Sequence, residues 1–374
     1  MQTPVGVLVD RYGARRLLAI AAFLCALGVF WISFAHSFYS AFLSRLMMGF
    51  GASFAFVALL VLALNWFPRR QFGLFAGIAQ FLGAVGPILA GAPLVYLLGK
   101  VDNNWRLILF WLGIFGIPLS LSIGFFIRNK PKGKKNQIIF LNPHESLKER
   151  IALLLKIPQT WWVIFYAACI YASLPLLGAV WGTTYLMKRG LDHASAAFVT
   201  SMLWFGMAIG CPLWGKISDK MKRRKPLLFF CALLGIGISM IVLYVPVHEK
   251  FWLSITFLVL GIASAGQSLS FATISEHVPT KLHGAALGLN NTAITFFAVI
   301  IPPFASSIIQ LSAKDILHSN VRLYPLESFT RGLSVMPFLF AIAFFIALFA
   351  IRETYCRQQH EVHVLRPYIS TNTS

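Results

Sequence analysis

The sequence predicts an all-α polytopic membrane protein built from two related helical halves. Three observations carry that prediction. Of 374 residues, 58% are hydrophobic and 12% charged, and the mean hydropathy of +0.74 exceeds what a soluble domain of this length sustains. Apolar runs recur along the chain at the length, about 20 residues, that crosses a hydrocarbon core of roughly 30 Å. Finally, one polar loop occurs twice, as "GVLVDRYGARR" (Gly6 to Arg16) and as "GKISDKMKRRK" (Gly215 to Lys225).

Ten such runs fall at 17–35, 39–66, 72–98, 105–127, 160–187, 193–214, 227–246, 251–275, 284–311 and 332–351. Each is expected to be a helix, because a spanning segment must satisfy its own backbone hydrogen bonds. If the first loop lies in the cytoplasm and the sides alternate, 23 Lys/Arg gather there against 8 on the opposite side. That asymmetry puts both termini in the cytoplasm, as in a multi-pass protein of the cell inner membrane. The net charge of +20 therefore reports topology and argues against a nucleic-acid partner. The expected partners are the lipid bilayer and a small-molecule substrate.

The charged loop Asp10 to Arg16 leaves no room for a cleavable signal peptide before it. Cys25, Cys169, Cys211, Cys231 and Cys356 have neither C-x-x-C spacing nor a nearby histidine, so they read as packing residues. No metal-ligand spacing, Ser/Lys dyad or His/Asp/Glu cluster falls within a span, so neither a metal, a cofactor nor an enzyme is expected.

The longest polar break, opening "RNKPKGKKNQ", divides the chain into an N-terminal half (1–127), a basic cytoplasmic linker (128–159), a six-helix C-terminal half (160–351) and a cytoplasmic tail (352–374). Within the linker, "LKERIALLLK" reads either as a helix on the inner membrane surface or as part of a solvated connection. A second match supports the two halves. Asn65 to Gln80 overlays Glu276 to Asn291 at an offset of 211, placing Pro68 on Pro279, Gly73 on Gly284, Gly77 on Gly288 and Gln80 on Asn291, while the loop pair is offset by 209. Two landmarks with nearly equal offsets indicate structural repeats.

The first loop, with Gly6, Asp10, Arg11, Gly13, Arg15 and Arg16, resembles the signature of the major facilitator superfamily of secondary transporters. The second copy is degenerate: Gly215 and Asp219 remain, Lys220 replaces the first arginine, and the later glycine is absent. "SRLMMGFGAS" (Ser44 to Ser53) and "GAVGPILAG" (Gly83 to Gly91) resemble two further motifs of that family. The resemblance implies a fold of twelve helices, about ten of them present. Because the family carries its signature after the second helix, it also implies a chain lacking helix one and most of helix two, with "MQTPV" as the remaining tail.

The same resemblance implies rocker-switch alternating access, with Gly6, Asp10, Arg11, Gly13, Arg15, Arg16, Gly215 and Asp219 acting as a gate. "QTPVGVLVDRYG" and "NWFPRRQFGLFAG" resemble bacterial carriers of amino acids and short peptides. The alternatives are a non-transporting remnant or regulatory membrane protein, and a carrier of sugars, organic anions or drugs. Arg45 is the one charge well inside a run; it either faces the interior and meets a substrate carboxylate or reaches the outer interface. Gln80, Tyr171, Gln267, Asn290 and Asn291 are the polar candidates for a central cavity, or else interhelical packing contacts. All twelve Asp/Glu fall in loops or near helix ends, which leaves the coupling ion open.

Overall fold

The computed structural model describes Val5, Leu8, Val9 and residues 12–89, 92–129, 147–247, 249–312, 317–318, 321–322 and 324–359. Each expected run holds helix. The N-terminal half contains α1 (Ala14–Ser33), α2 (Phe38–Trp66), α3 (Phe72–Leu89), α4 (Ala92–Lys100) and α5 (Trp105–Phe126), with α3 and α4 sharing one run. A short α6 (Leu147–Leu155) sits on the "LKERIALLLK" stretch and buries Leu154 in the core. The C-terminal half contains α7 (Pro158–Lys188), α8 (His193–Met221), α9 (Lys225–Tyr244), α10 (Lys250–His277), α11 (His283–Ser312) and α12 (Leu326–Ala350). Among the described residues, nine of these helices are long and apolar enough to cross a membrane. The chain is thus an all-α polytopic membrane protein of two helical halves.

One expectation is corrected. The first two spans, α1 with 20 residues and α2 with 29, are both complete. The chain is therefore not a member that lacks helix one and most of helix two. A loop motif reports local chemistry, charged groups set against neighbouring helix ends, and does not number the helices around it.

Side-chain caps explain where several helices start. Ser37, Asn104 and Asp192 accept hydrogen bonds from the backbone N–H of Ser40, Leu107 and Ser195, taking up donors that a helix N-terminus leaves unpaired. Arginines serve the opposite ends. Arg15 donates to the carbonyl of Gly124 at the end of α5, and Arg189 donates to Val242 at 2.8 Å near the end of α9.

Small residues set the packing within each half. A Cβ at Gly51 of α2 would meet the Ala21 carbonyl of α1 at 2.7 Å, and one at Gly113 of α5 would meet the Phe30 nitrogen at 2.7 Å. In the C-terminal half, Gly206 and Gly210 of α8 lie against Leu258 and Ile262 of α10, and Gly261 of α10 lies against Leu203 in return. In hydrocarbon, where apolar burial drives little association, such close backbone contact is a main source of helix affinity. Between Leu174 and Trp181, α7 is π-helical, and there Trp204 donates from Nε1 to the Gly178 carbonyl at 3.1 Å. Large apolar residues such as Phe125, Phe126 and Phe349 stay exposed, as lipid-facing side chains do.

Candidate functional site: the contact between the halves

The halves meet most closely where α3 crosses α8, at the end of the bundle that carries Arg70 and residues 216–225. Hereafter this is the basic end. A Cβ on Gly77 would collide with the backbone of Cys211 and Pro212, and one on Gly215 would collide with the backbone of Gly73 and Leu74. Glycine is required on both helices because the obstacle on each side is main chain, which cannot rotate away.

An ion-pair network closes over this crossing. Arg224, in the turn between α8 and α9, is fully buried and pairs with Asp219 at 2.6 Å and with Glu276 at 2.9 Å. It also donates from Nη1 to Ser218 Oγ at 2.9 Å. Burial alone would lower its pKa, but Glu276 and Asp219 beside it outweigh that and hold it above the ordinary arginine value. The second oxygen of Asp219 accepts the Leu74 N–H at 2.8 Å, so a carboxylate of the C-terminal half caps the N-terminus of α3 in the other half. Glu276 is also bonded by the Thr354 hydroxyl. A buried charge left without such partners would cost several kcal/mol, which explains why these groups occur together.

Deeper along α3, Gln80 donates from Nε2 to Gln267 Oε1 of α10 at 2.8 Å, a second bond between the halves. Phe56 of α2 and Phe271 of α10 meet edge to face at 5.1 Å. Asn290 of α11 donates to Ser270 Oγ at 2.7 Å. Two atoms remain over: Gln267 Nε2 and Asn290 Oδ1 are buried without a hydrogen-bond partner among the described residues. Buried amide atoms of this kind are places where water or another polar group can bond. Replacing Gln80 and Gln267 by leucine singly and together should give a coupling energy of about 0.6 to 1.7 kcal/mol in thermal or chemical unfolding, the range of interhelical bonds in membranes. Strictly additive effects would mean that the bond contributes nothing to the contact.

Arg45 lies eleven residues before Phe56 in α2, which brings the two within about 20° of each other around the helix and about 16 Å apart along it. Arg45 is thus on the face that meets the C-terminal half. Beyond Phe56 that face is uncovered, for Ala52, Gly49 and Arg45 are all exposed. Arg45 has no ion pair among the described residues.

The remaining sequence candidates are dispersed. Tyr171 is half-buried and packs against the hydrophobic core at the end of the first section of α7, and Asn291 is half-buried on α11. Of the residues expected at the gate, Gly215 and Asp219 lie at the contact. Gly13 has a positive φ of 85° and adjoins Asn129, while Arg15 ties α1 to the end of α5, both within the N-terminal half. Arg16 is exposed, and Gly6, Asp10 and Arg11 lie outside the described residues. Sequence reasoning missed the network members Arg224, Glu276 and Thr354. The available signal was a glutamate ending an otherwise apolar run, which needs a cation, with arginines between the two preceding runs to supply one.

Two halves of membrane-spanning helices, bonded together at one end, are the architecture of a membrane transporter that works by alternating access. The chain belongs to the Major Facilitator Superfamily, whose family model matches residues 1–302. Among curated relatives, the probable nitrate/nitrite antiporter NarK1 of Thermus thermophilus is 27% identical over 326 residues, covering 80% of this chain and 71% of that protein. The hexuronate transporter of Bacillus subtilis is 27% identical over 230 residues, but the match spans only 54% of its length and 60% of this chain. The 3-(3-hydroxy-phenyl)propionate transporter of Escherichia coli is 25% identical, with 76% of this chain and 68% of the relative covered. Of solved structures, the proton:xylose symporter XylE superposes with a TM-score of 0.71 at 18% identity, covering 97% of this chain and 86% of the other, which supports the fold.

Proposed function

We propose that the transported solute is a small anion, an inorganic oxyanion or a carboxylate, in place of the amino acid or short peptide suggested by the sequence. The observation that carries this reading is Arg45: a guanidinium within a membrane span, on the face of α2 that meets the other half, exposed and without a carboxylate partner among the described residues. A charge so placed is costly unless a partner arrives, and a substrate anion is such a partner. The relatives named for nitrate and nitrite, hexuronate and 3-(3-hydroxy-phenyl)propionate support the same chemistry, since each of those solutes is an anion.

The basic end is assigned to the cytoplasm by its excess of Lys/Arg, within the inner membrane of a bacterial cell. With this end closed and the Arg45 face uncovered, the conformation described corresponds to an outward-facing state. Gln80, Gln267, Asn290 and Asn291 would supply hydrogen bonds at the floor of the cleft, and the first-loop residues Asp10 and Arg11 would serve the gate as the repeat-related Asp219 does. The test is uptake by the full chain in proteoliposomes of nitrate, glucuronate, xylose, alanine and a dipeptide. Saturable uptake of an anion is expected, and Arg45→Gln should raise its KM by about 10- to 100-fold, the loss of one charge-assisted contact. Uptake confined to alanine, the dipeptide or xylose would overturn the anion reading.

A further inference from the structure

A cavity of about 450 Å³ opens at the basic end, outside the α3–α8 crossing, and is lined by Arg70, Lys222, Arg223 and Arg357 together with Tyr355 and Cys356. Four basic residues thus border it, and no acidic residue is among the described residues that line the space. The acids nearby are occupied. Asp219 and Glu276 are paired with Arg224, and the Glu353 carboxylate accepts the backbone N–H groups of Arg224, Lys225, Thr354 and Tyr355 at 2.9 to 3.1 Å. Burial pushes the Cys356 thiol up to about 12, so it brings no negative charge at neutral pH.

The walls are preformed. Lys222, Tyr355 and Cys356 hold left-handed backbone conformations, with φ of 54°, 54° and 56°, which side-chain-bearing residues adopt only when their surroundings impose them. Here the imposing contacts are the Glu353 bonds and the close of α8, where the Arg223 N–H bonds the Ser218 carbonyl at 3.3 Å. Arg223 lies over the Tyr355 ring at 5.9 Å, which fixes one face of the pocket. Strain and like charge held together in a cavity are the features of a site awaiting a counter-ion.

We propose that this pocket binds a phosphate-bearing anion, and that the bound anion braces the two halves against each other. Arg70 belongs to the N-terminal half, in the turn before α3, whereas Lys222 and Arg223 belong to the C-terminal half and Arg357 to the tail that follows it. A tetrahedral group with several acceptor oxygens can engage guanidinium forks from both sides at once. When the gate opens, α3 must leave α8 and Arg70 must leave the other three cations, so the anion favours the closed gate by its difference in affinity for the two states. The binding claim is independent of the cargo, and the bracing claim rests on the alternating-access reading.

The same phosphate chemistry could come from a soluble anion or from a lipid headgroup, and two arms of one experiment separate them. In the first, the full chain in neutral detergent is titrated with inorganic phosphate against chloride at equal ionic strength, with binding read by calorimetry. In the second, thermal stability is compared in nanodiscs of phosphatidylcholine alone and of phosphatidylcholine with phosphatidylglycerol, without free phosphate. Saturable binding in the first arm identifies a soluble anion, and stabilisation only in the second identifies a lipid headgroup; either supports the site. Arg70→Gln and Arg357→Gln should each weaken the response by at least about tenfold. No response in either arm, an equal response to chloride, or an undiminished response in both variants would overturn the site. Loss in Arg357→Gln with full binding in Arg70→Gln would overturn the bracing.

Discussion

Gly77→Val should hold the basic end open and abolish transport. The added side chain begins where Cys211 and Pro212 present main chain, so no rotamer change relieves the clash, and the halves must part. Overpacking of this kind costs about 1 to 3 kcal/mol, which shifts the closed-to-open ratio by roughly 5- to 150-fold. Cys211 itself reports the change, because it is fully buried at the crossing. In a chain retaining Cys211 as its only cysteine, maleimide labelling from the basic side should accelerate by that factor as uptake falls. Gly215→Val should do the same from the opposing helix, whereas Gly83→Val, where a Cβ meets nothing within 4 Å, should be near neutral. Unchanged labelling and uptake in both Gly77→Val and Gly215→Val would mean that the α3–α8 contact is not the gate.

The span pattern and the division into two halves were legible in the sequence because both rest on local signals. A run of apolar residues gives a span directly, and the long polar break between runs gives the division. Gly215 and Asp219 were singled out for the same reason, since the second loop copy is written in consecutive residues, and both lie where α3 meets α8. The network was not. Arg224 and Glu276 are 52 residues apart and join only when α8, α9 and α10 pack, and in the sequence Arg224 is one of several basic residues in a loop that topology alone explains. The reading of the first loop carried its own error. It extended a local motif to a count of missing helices that complete α1 and α2 do not support. The Gln80–Gln267 bond shows a middle case. Both residues were identifiable as polar groups in apolar runs, and Gln80 was matched by the repeat to Asn291, yet its actual partner lies on α10 because the bond crosses between halves rather than relating them.

Arg224→Met should be the most destabilising single substitution at the basic end, and its effect should depend on what surrounds it. Removing the guanidinium leaves Asp219 and Glu276 as two buried carboxylates facing each other without a cation, at a cost of about 3 to 5 kcal/mol. The loss arises mainly from the stranded charges and not from an attraction forgone. It follows that Arg224→Met combined with Glu276→Gln should be more stable than Arg224→Met alone, because one of the stranded charges is gone. Glu276→Gln by itself should be milder, since Arg224 keeps Asp219. Asp219→Asn occupies a different position in this scheme, because it weakens the cap on the Leu74 N–H, which joins the halves, as well as the pair with Arg224. Its stability loss should be small beside that of Arg224→Met, while its effect on Cys211 labelling should be larger than that of Glu276→Gln, whose partners Arg224 and Thr354 both lie in the C-terminal part of the chain. Thermal unfolding of the four variants in detergent, with labelling on the same samples, separates the two quantities. Additive losses in the Arg224→Met, Glu276→Gln pair would show that the groups are not coupled and that the buried network does not govern the stability of this end.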